Sequence, residues 1–148
     1  MYGTTTIITS ASPYSETITY DAESNYNGGT GTSHTWTHTT GTDDNRILWV
    51  HVMNASTVAI SGVTYNSVSM TQAVANGASQ RSSLYYLIAP DTGSNTVEVT
   101  LASSSYCYTN ALSFSGVAQE DFLGGTQGND DTNVGTLSTS VTTGAFRS

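Results

Sequence analysis

The chain has 148 residues, which is enough for one domain with a single hydrophobic core and too short for two. Only 9% of the residues are charged, lysine is absent, and three arginines face eleven carboxylates, so the net charge is −8. So few cations cannot neutralise a run of phosphates, which argues against a nucleic-acid partner. No apolar run approaches the ~20 residues of a membrane-spanning helix, so we expect no membrane partner.

Taken in chain order, the first half of the sequence alternates short β-branched runs with turn residues. Residues 4–9 and 16–20 are the first two strand candidates, and the Asn- and Gly-rich residues 24–33 are typical of a loop. Residues 33–40 then alternate strictly, which predicts a strand with different chemistry on its two faces.

Residues 46–53 form the most apolar stretch of the chain. Leu48, Val50 and Val52 would lie on one face, and Ile47 and Trp49 belong to the opposite, also apolar face. A strand that is apolar on both faces is central and covered twice, so we expect these residues at the heart of the fold.

The second half of the sequence continues the strand pattern. Asn66-Ser67 separates two strand-like runs in the manner of a type I′ hairpin, and Pro90 to Gly93 has the composition of a turn. The predicted strands of this half are residues 58–65, 68–71, 82–89, 96–101, 106–114 and 135–143, with a second loop at residues 124–133.

About eight to ten strands at a spacing of roughly 8–12 residues predict an all-β fold with essentially no helix. We expect a single antiparallel β-sandwich, and alternation alone leaves Ig-like and jelly-roll topologies both open. Residues 1–20 are predicted to form an N-terminal arm or edge strands, and residues 21–148 to form the β-sandwich domain.

Three histidines, His34, His38 and His51, are the first candidates for a metal site. Side chains four residues apart on a strand share a face but stand ~13 Å apart, so His34 and His38 cannot chelate one zinc ion. Pairing of either one with His51 across strands stays open, but no third ligand is placed, and we predict no metal site here.

Two acidic turns are candidates for calcium, which prefers oxygen ligands from carboxylates and amides in loops. Asp43 and Asp44 lie in one turn, Asp130 and Asp131 lie in the other, and the four would share an ion if both turns met at one end of the sandwich. Because Asp and Asn are also good turn formers, we expect no required cofactor.

Aromatic residues are concentrated in a few strands. Exposed tyrosines on a sheet can stack on sugar rings, but in a chain poor in Phe and Leu the aromatics are expected to be the core. The set is Tyr85, Tyr86, Tyr106, Tyr108, Trp36 and Trp49.

No catalytic signature is present in the sequence. There is no Gly-x-Ser-x-Gly turn and no phosphate loop with a lysine, and no nucleophile has a base at a readable spacing. Cys107 is the single cysteine, so it forms no intramolecular disulfide and is expected to be a small buried side chain. We therefore predict a protein that is not an enzyme.

The strand pattern from residue 46 to residue 125 resembles Ig-like β-sandwich modules of bacteriophage virion proteins and bacterial extracellular proteins. The resemblance implies a module that attaches to a capsid, a tail, a cell wall or a glycan, and it defines no functional residues. It is carried by Arg46-Ile47-Leu48-Trp49-Val50, Gly62-Val63-Thr64-Tyr65, Leu84-Tyr85-Tyr86-Leu87, residues 96–101 and residues 111–117.

The expected location of the protein and its resemblance to virion modules together suggest a function. The start of the chain lacks the basic and apolar regions of a secretory signal, while the hydroxyl-rich, lysine-free composition suits a particle outside cells. We expect a structural protein of a phage particle, specifically a capsid decoration (cement) protein that binds viral coat protein or copies of itself as a homo-oligomer in the virion. The alternative is a carbohydrate-binding or adhesin module of a secreted bacterial protein.

Overall fold

The computed structural model describes residues 17–55, 57–76 and 81–120, and within these ranges the protein is all-β. None of the described residues forms a helix that is long and apolar enough to cross a membrane. The strands are β1 (Thr19–Thr40), β2 (Ile47–Asn54), β3 (Ile60–Tyr65), β4 (Val68–Ser69), β5 (Thr71–Asn76), β6 (Arg81–Ile88) and β7 (Gly93–Ser115).

All seven strands belong to one antiparallel sheet that is nearly closed into a barrel. The long strand β7 is its centre. β1 runs along one edge of β7, from Thr40 opposite Gly93 to Thr19 opposite Ser115. The other edge of β7 pairs first with β3 and then with β2, and β6 and β5 extend the sheet beyond β2. The sheet therefore has two halves. The first contains β3 and β4 with the first part of β7, the second contains β2, β6 and β5 with the last part of β7, and the long strands β1 and β7 run through both.

The two halves of the sheet face each other across one hydrophobic core. The first half contributes residues such as Val63 and Val99, the second contributes Val50 and Ala111, and all are buried in the same cluster. Burial of such apolar side chains is the main driving force for folding the sheet over on itself. The full cluster is Leu48, Val50, Val52, Val63, Tyr65, Met70, Tyr85, Val97, Val99, Leu101, Cys107 and Ala111.

The predicted loop at residues 24–33 is wrong, because these residues lie inside β1. Pairing with β7 overrides the low strand propensity of the Asn- and Gly-rich sequence. The register shifts between Asn27 and Thr30 and again between Gly31 and Ser33. Gly28 has a φ of 67°, and a Cβ there would overlap the ring of Tyr106. These irregularities bend β1 where it passes from one half of the sheet to the other.

The prediction of a central strand at residues 46–53 is confirmed for one of its two faces. β2 lies between β7 and β6, and Leu48, Val50 and Val52 are fully buried. On the opposite face, among the described residues, Ile47 is buried, but Trp49 is only partly buried and Met53 is exposed. The double cover that we expected over this strand is therefore incomplete within the part of the chain that the structure describes.

In the second half of the chain, the predicted turn is observed more accurately than the predicted ends of the strands. Asn66 and Ser67 both have positive φ, 47° and 66°, as a type I′ turn requires. The separate strands expected at residues 96–101 and 106–114 are one continuous strand, β7. β5 (Thr71–Asn76) was not predicted, since the expected strand at residues 68–71 overlaps it only at Thr71.

The expected strands at residues 4–9 and 135–143 lie outside the described residues, as does most of the predicted arm at residues 1–20. Thr19 and Tyr20 pair with Ser115 and Phe114, so the last two residues of that range belong to the sheet. The described part contains seven strands, against the eight to ten expected for the whole chain.

Candidate functional site

A serine, a histidine and an aspartate meet inside the protein, with Asp21 near the start of β1, His38 near its end and Ser113 near the end of β7. Ser113 Oγ lies 2.7 Å from Asp21 Oδ2 and 3.0 Å from His38 Nε2. On the other side of the ring, His38 Nδ1 lies 2.8 Å from Ser24 Oγ, which also lies 3.0 Å from Trp36 Nε1. Sequence analysis missed this cluster, because Asp21 and Ser113 are 92 residues apart and only strand pairing brings them together.

The hydrogen-bond donors in this cluster all point the same way. Trp36 Nε1 can only donate, so Ser24 Oγ accepts a hydrogen bond from it. The Asp21 carboxylate can only accept, so Ser113 donates to it and accepts from His38 Nε2. His38 Nε2 therefore carries a proton, and in the neutral ring Nδ1 accepts a hydrogen bond from Ser24 Oγ. Burial agrees with this assignment, since it lowers the pKa of His38 below the ordinary 6.5 despite the opposing charge of Asp21.

This arrangement stabilises the fold and does not activate a nucleophile. A catalytic serine must donate its proton to the histidine, whereas Ser113 donates to Asp21 and receives a proton from the ring. His38 is 1% exposed and Ser113 is fully buried, so no substrate reaches either group. Within the described residues the cluster joins the two long strands, and Asp21 also accepts from the backbone N–H of Gly41 at 2.8 Å.

The three histidines lie in different environments. His34 and His38 are buried, and His34 Nε2 donates to the carbonyl of Gly31 at 3.2 Å. His51 lies on the outer side of β2, where its Nε2 is 2.8 Å from Ser82 Oγ. The considered pairing of His51 with His34 or His38 is therefore wrong, and no group of three or more metal-ligating residues occurs among the described residues.

The first of the two acidic turns follows β1. Asp43 and Asp44 are exposed there, and their backbone carbonyls accept hydrogen bonds from Arg46 and Gly116. The structure thus gives them the turn role that we weighed against calcium binding. Asp130 and Asp131 lie outside the described residues, so a shared ion stays untested.

Cys107 has the buried position that the sequence predicted. It is 0% exposed in the core, and burial raises the pKa of its thiol to about 11. A thiol with that pKa is protonated at neutral pH and is a poor nucleophile.

The expectation that the aromatic residues form the core is correct for Tyr85 and wrong for two others. Tyr85 is 6% exposed in the core, whereas Tyr106 and Tyr108 are 37% and 43% exposed. β7 turns its small side chains inward at this point, Cys107 and Ala111 among them, and its aromatic side chains outward. Trp49 and Tyr86 pack on each other across β2 and β6 with ring centroids 5.5 Å apart. Trp36 is partly buried against the core.

A shallow groove crosses the outer face of the sheet beside these tyrosines. Its volume is about 460 Å³, and we call it the tyrosine groove. Strand pairing places Asn25, Asn110 and His51 in one row across β1, β7 and β2, with Asn27, Tyr108 and Met53 in the next row.

The tyrosine groove is electrically neutral and carries both apolar and polar groups. Burial lowers the pKa of His51 below 6.5, so its ring is uncharged at pH 7. The other described residues that line the groove are Asn, Tyr, Met and Thr. Tyr106 adjoins it, with its ring centroid 4.9 Å from that of Tyr108, and a hydrogen bond with Tyr108 raises the pKa of the Tyr106 phenol.

The sequence matches no protein-family model, and comparisons with curated proteins and with solved structures find no similar protein. The tyrosine groove and the buried cluster around His38 are therefore interpreted from their own chemistry.

Proposed function

We propose that this protein is a non-enzymatic structural protein of a phage particle, specifically a capsid decoration (cement) protein. The observation that carries the proposal is the outer face of the sheet, which presents exposed Met53, Tyr106 and Tyr108 on a folded β-scaffold. Exposed apolar groups that cluster on one face are typical of a surface that binds another macromolecule. The resemblance of the strand pattern to virion modules points to a capsid as that macromolecule.

The mechanism would be mechanical. A β-domain that spans the joint between coat subunits adds buried surface to the shell, and copies related by the symmetry of the shell repeat that contact. The buried serine–histidine–aspartate cluster supports a non-enzymatic role, since its polar groups form their hydrogen bonds within the fold. As part of this proposal, the complete chain forms an antiparallel sandwich of Ig-like or jelly-roll type.

The test uses the coat protein encoded beside this chain in its own genome. Purified shells of that coat protein are mixed with the protein, sedimented, and heated with and without it. We expect saturable co-sedimentation and a higher temperature of shell disruption. A genome without a neighbouring coat gene, or shells that neither bind the protein nor gain stability, would contradict the proposal.

A second candidate function, a carbohydrate-binding or adhesin module, is favoured by one specific observation. Tyr106 and Tyr108 form a continuous exposed aromatic surface beside a row of asparagines. Aromatic faces and amide groups together are the chemistry that recognises sugars, since a pyranose ring has an apolar face and a rim of hydroxyls.

A further inference from the structure

We propose that the tyrosine groove is a binding site for a neutral glycan, with Tyr106 and Tyr108 as the stacking platform and Asn25, Asn27 and Asn110 as hydroxyl-binding groups. The assignment deepens the second candidate function and rests on it. It does not depend on the capsid role, which shell binding tests separately.

The stacking platform is built into the backbone of β1. Gly28 has the positive φ of 67° that glycine adopts without strain, and a Cβ at this position would overlap the Tyr106 ring. The ring of Tyr106 therefore lies directly on the bulge of β1 and is also in contact with Tyr108, at a centroid distance of 4.9 Å. Two supports hold the pair in place before a ligand binds, which reduces the entropy lost on binding.

The polar groups of the groove require a partner that forms hydrogen bonds. Asn25, Asn27 and Asn110 are exposed, and each amide offers two N–H donors and one carbonyl acceptor. An apolar protein surface or a second apolar sheet face would strip water from these amides without replacing their hydrogen bonds. Sugar hydroxyls donate and accept, so they satisfy the amides in either direction.

The charges around the groove favour a neutral ligand over an anionic one. No arginine lines the groove within the described residues, and the His51 ring beside Asn110 is uncharged at pH 7. Glu23, which pairs with Leu112 one row from Asn25, brings a carboxylate to this face, and the chain carries a net charge of −8. Sialylated, sulfated and uronic-acid sugars would therefore be repelled.

The experiment is a glycan array of neutral hexose and N-acetylhexosamine oligosaccharides with sialylated and sulfated oligosaccharides as comparison, followed by titration calorimetry with the best neutral binder. We expect binding to neutral oligosaccharides only. Tyr108→Ala should weaken that binding about tenfold or more, because truncating an aromatic anchor removes a dominant contact. Asn110→Ala should weaken it less.

Tyr20→Ala is the matched control, because Tyr20 is a 55% exposed tyrosine beside Phe114 on the same sheet and away from the groove. Its affinity should stay within about twofold of the wild-type value. Thermal unfolding of each variant checks that the sheet remains folded.

Negative results would separate the binding site from the glycan-binding function. Neutral-glycan binding that Tyr108→Ala and Asn110→Ala leave unchanged would overturn the site while keeping the glycan-binding function. Absence of binding to any oligosaccharide, neutral or anionic, at millimolar concentration would overturn both. Preference for anionic oligosaccharides would overturn the neutral-glycan assignment while keeping the glycan-binding function. Self-association that is lost in Tyr108→Ala, without glycan binding, would identify the face as an interface between copies of this chain and would also overturn the site.

Discussion

Two hydroxyl groups on the inner face of β7 should have opposite effects on stability when they are removed. Ser113 Oγ accepts from His38 and donates to Asp21, whereas Thr109 Oγ1 is the one buried side-chain oxygen without a hydrogen-bond partner among the described residues. Ser113→Ala should destabilise the protein, and Thr109→Val, of nearly the same shape, should stabilise it.

The magnitudes follow from the partners that each change leaves behind. In Ser113→Ala the N–H of His38, which is 1% exposed, loses its acceptor, and an orphaned buried group costs about 1–3 kcal/mol. The bond to Asp21 is lost as well, but that carboxylate is only partly buried and keeps the N–H of Gly41, so this loss adds only about 1 kcal/mol. We expect about 2–4 kcal/mol of destabilisation for Ser113→Ala and about 1 kcal/mol of stabilisation for Thr109→Val.

Urea unfolding followed by the fluorescence of Trp36 and Trp49 measures both effects. The unfolding midpoint should move in opposite directions for the two variants while the urea dependence of the free energy stays constant. On heating, Ser113→Ala should melt on the order of 10 °C below the wild type. If Ser113→Ala stayed within about 0.5 kcal/mol of the wild type, the stabilising role of the Ser113 hydrogen bonds would be refuted. If Thr109→Val were less stable than the wild type, the reasoning from an unpartnered Thr109 hydroxyl would be refuted.

The remaining predictions concern pH, the central strand and the arm. Burial holds the pKa values of His38 and His51 below 6.5, so the folded state favours the neutral rings. The stability that they contribute is present above pH 6.5 and is lost as the pH falls and the rings take up protons. The urea midpoint should therefore fall less steeply from pH 7.5 to pH 5 in His51→Gln than in the wild type. Val50→Asp places a carboxylate at a fully buried site and should destabilise by about 4 kcal/mol or more, whereas a soluble variant with a cooperative melting transition would show β2 to be peripheral. Deleting residues 2–15, which lie outside the described residues, should keep the sheet folded but weaken assembly, as measured by sedimentation. Each backbone pairing that is lost removes about 0.5–1.5 kcal/mol from the free energy of assembly. If the shortened protein failed to fold, the arm would be part of the domain's own sheet.

Features whose causes lie close together in the sequence were predictable. The run of apolar residues in β2 marked a central strand, and Asn66-Ser67 marked the tight turn before β4. In both places the residue types favour the local backbone geometry that is observed, so the prediction did not require knowledge of contacts that are distant in sequence.

Features set by distant contacts were not predictable. The sequence assigns Tyr106 and Cys107 to opposite faces of a strand, but which face is inside depends on where β1 and β7 bend. The same holds for the groove, because Asn25 and Asn110 become neighbours only through that pairing. The asparagines and glycines that indicated a loop were instead the means by which β1 bends.

The position of β7 in the chain has a consequence for biosynthesis. β7 is the central strand of the sheet, yet it follows every other described strand in the sequence. While the ribosome is still making residues before Gly93, β1, β2 and β3 all lack the partner that joins them, and even the pair nearest in sequence, Tyr65 with Val97, closes a long loop. Such non-local pairing gives slow folding. We therefore expect a nascent chain that ends before Ser115 to remain without its core, so that folding is concentrated after β7 has emerged.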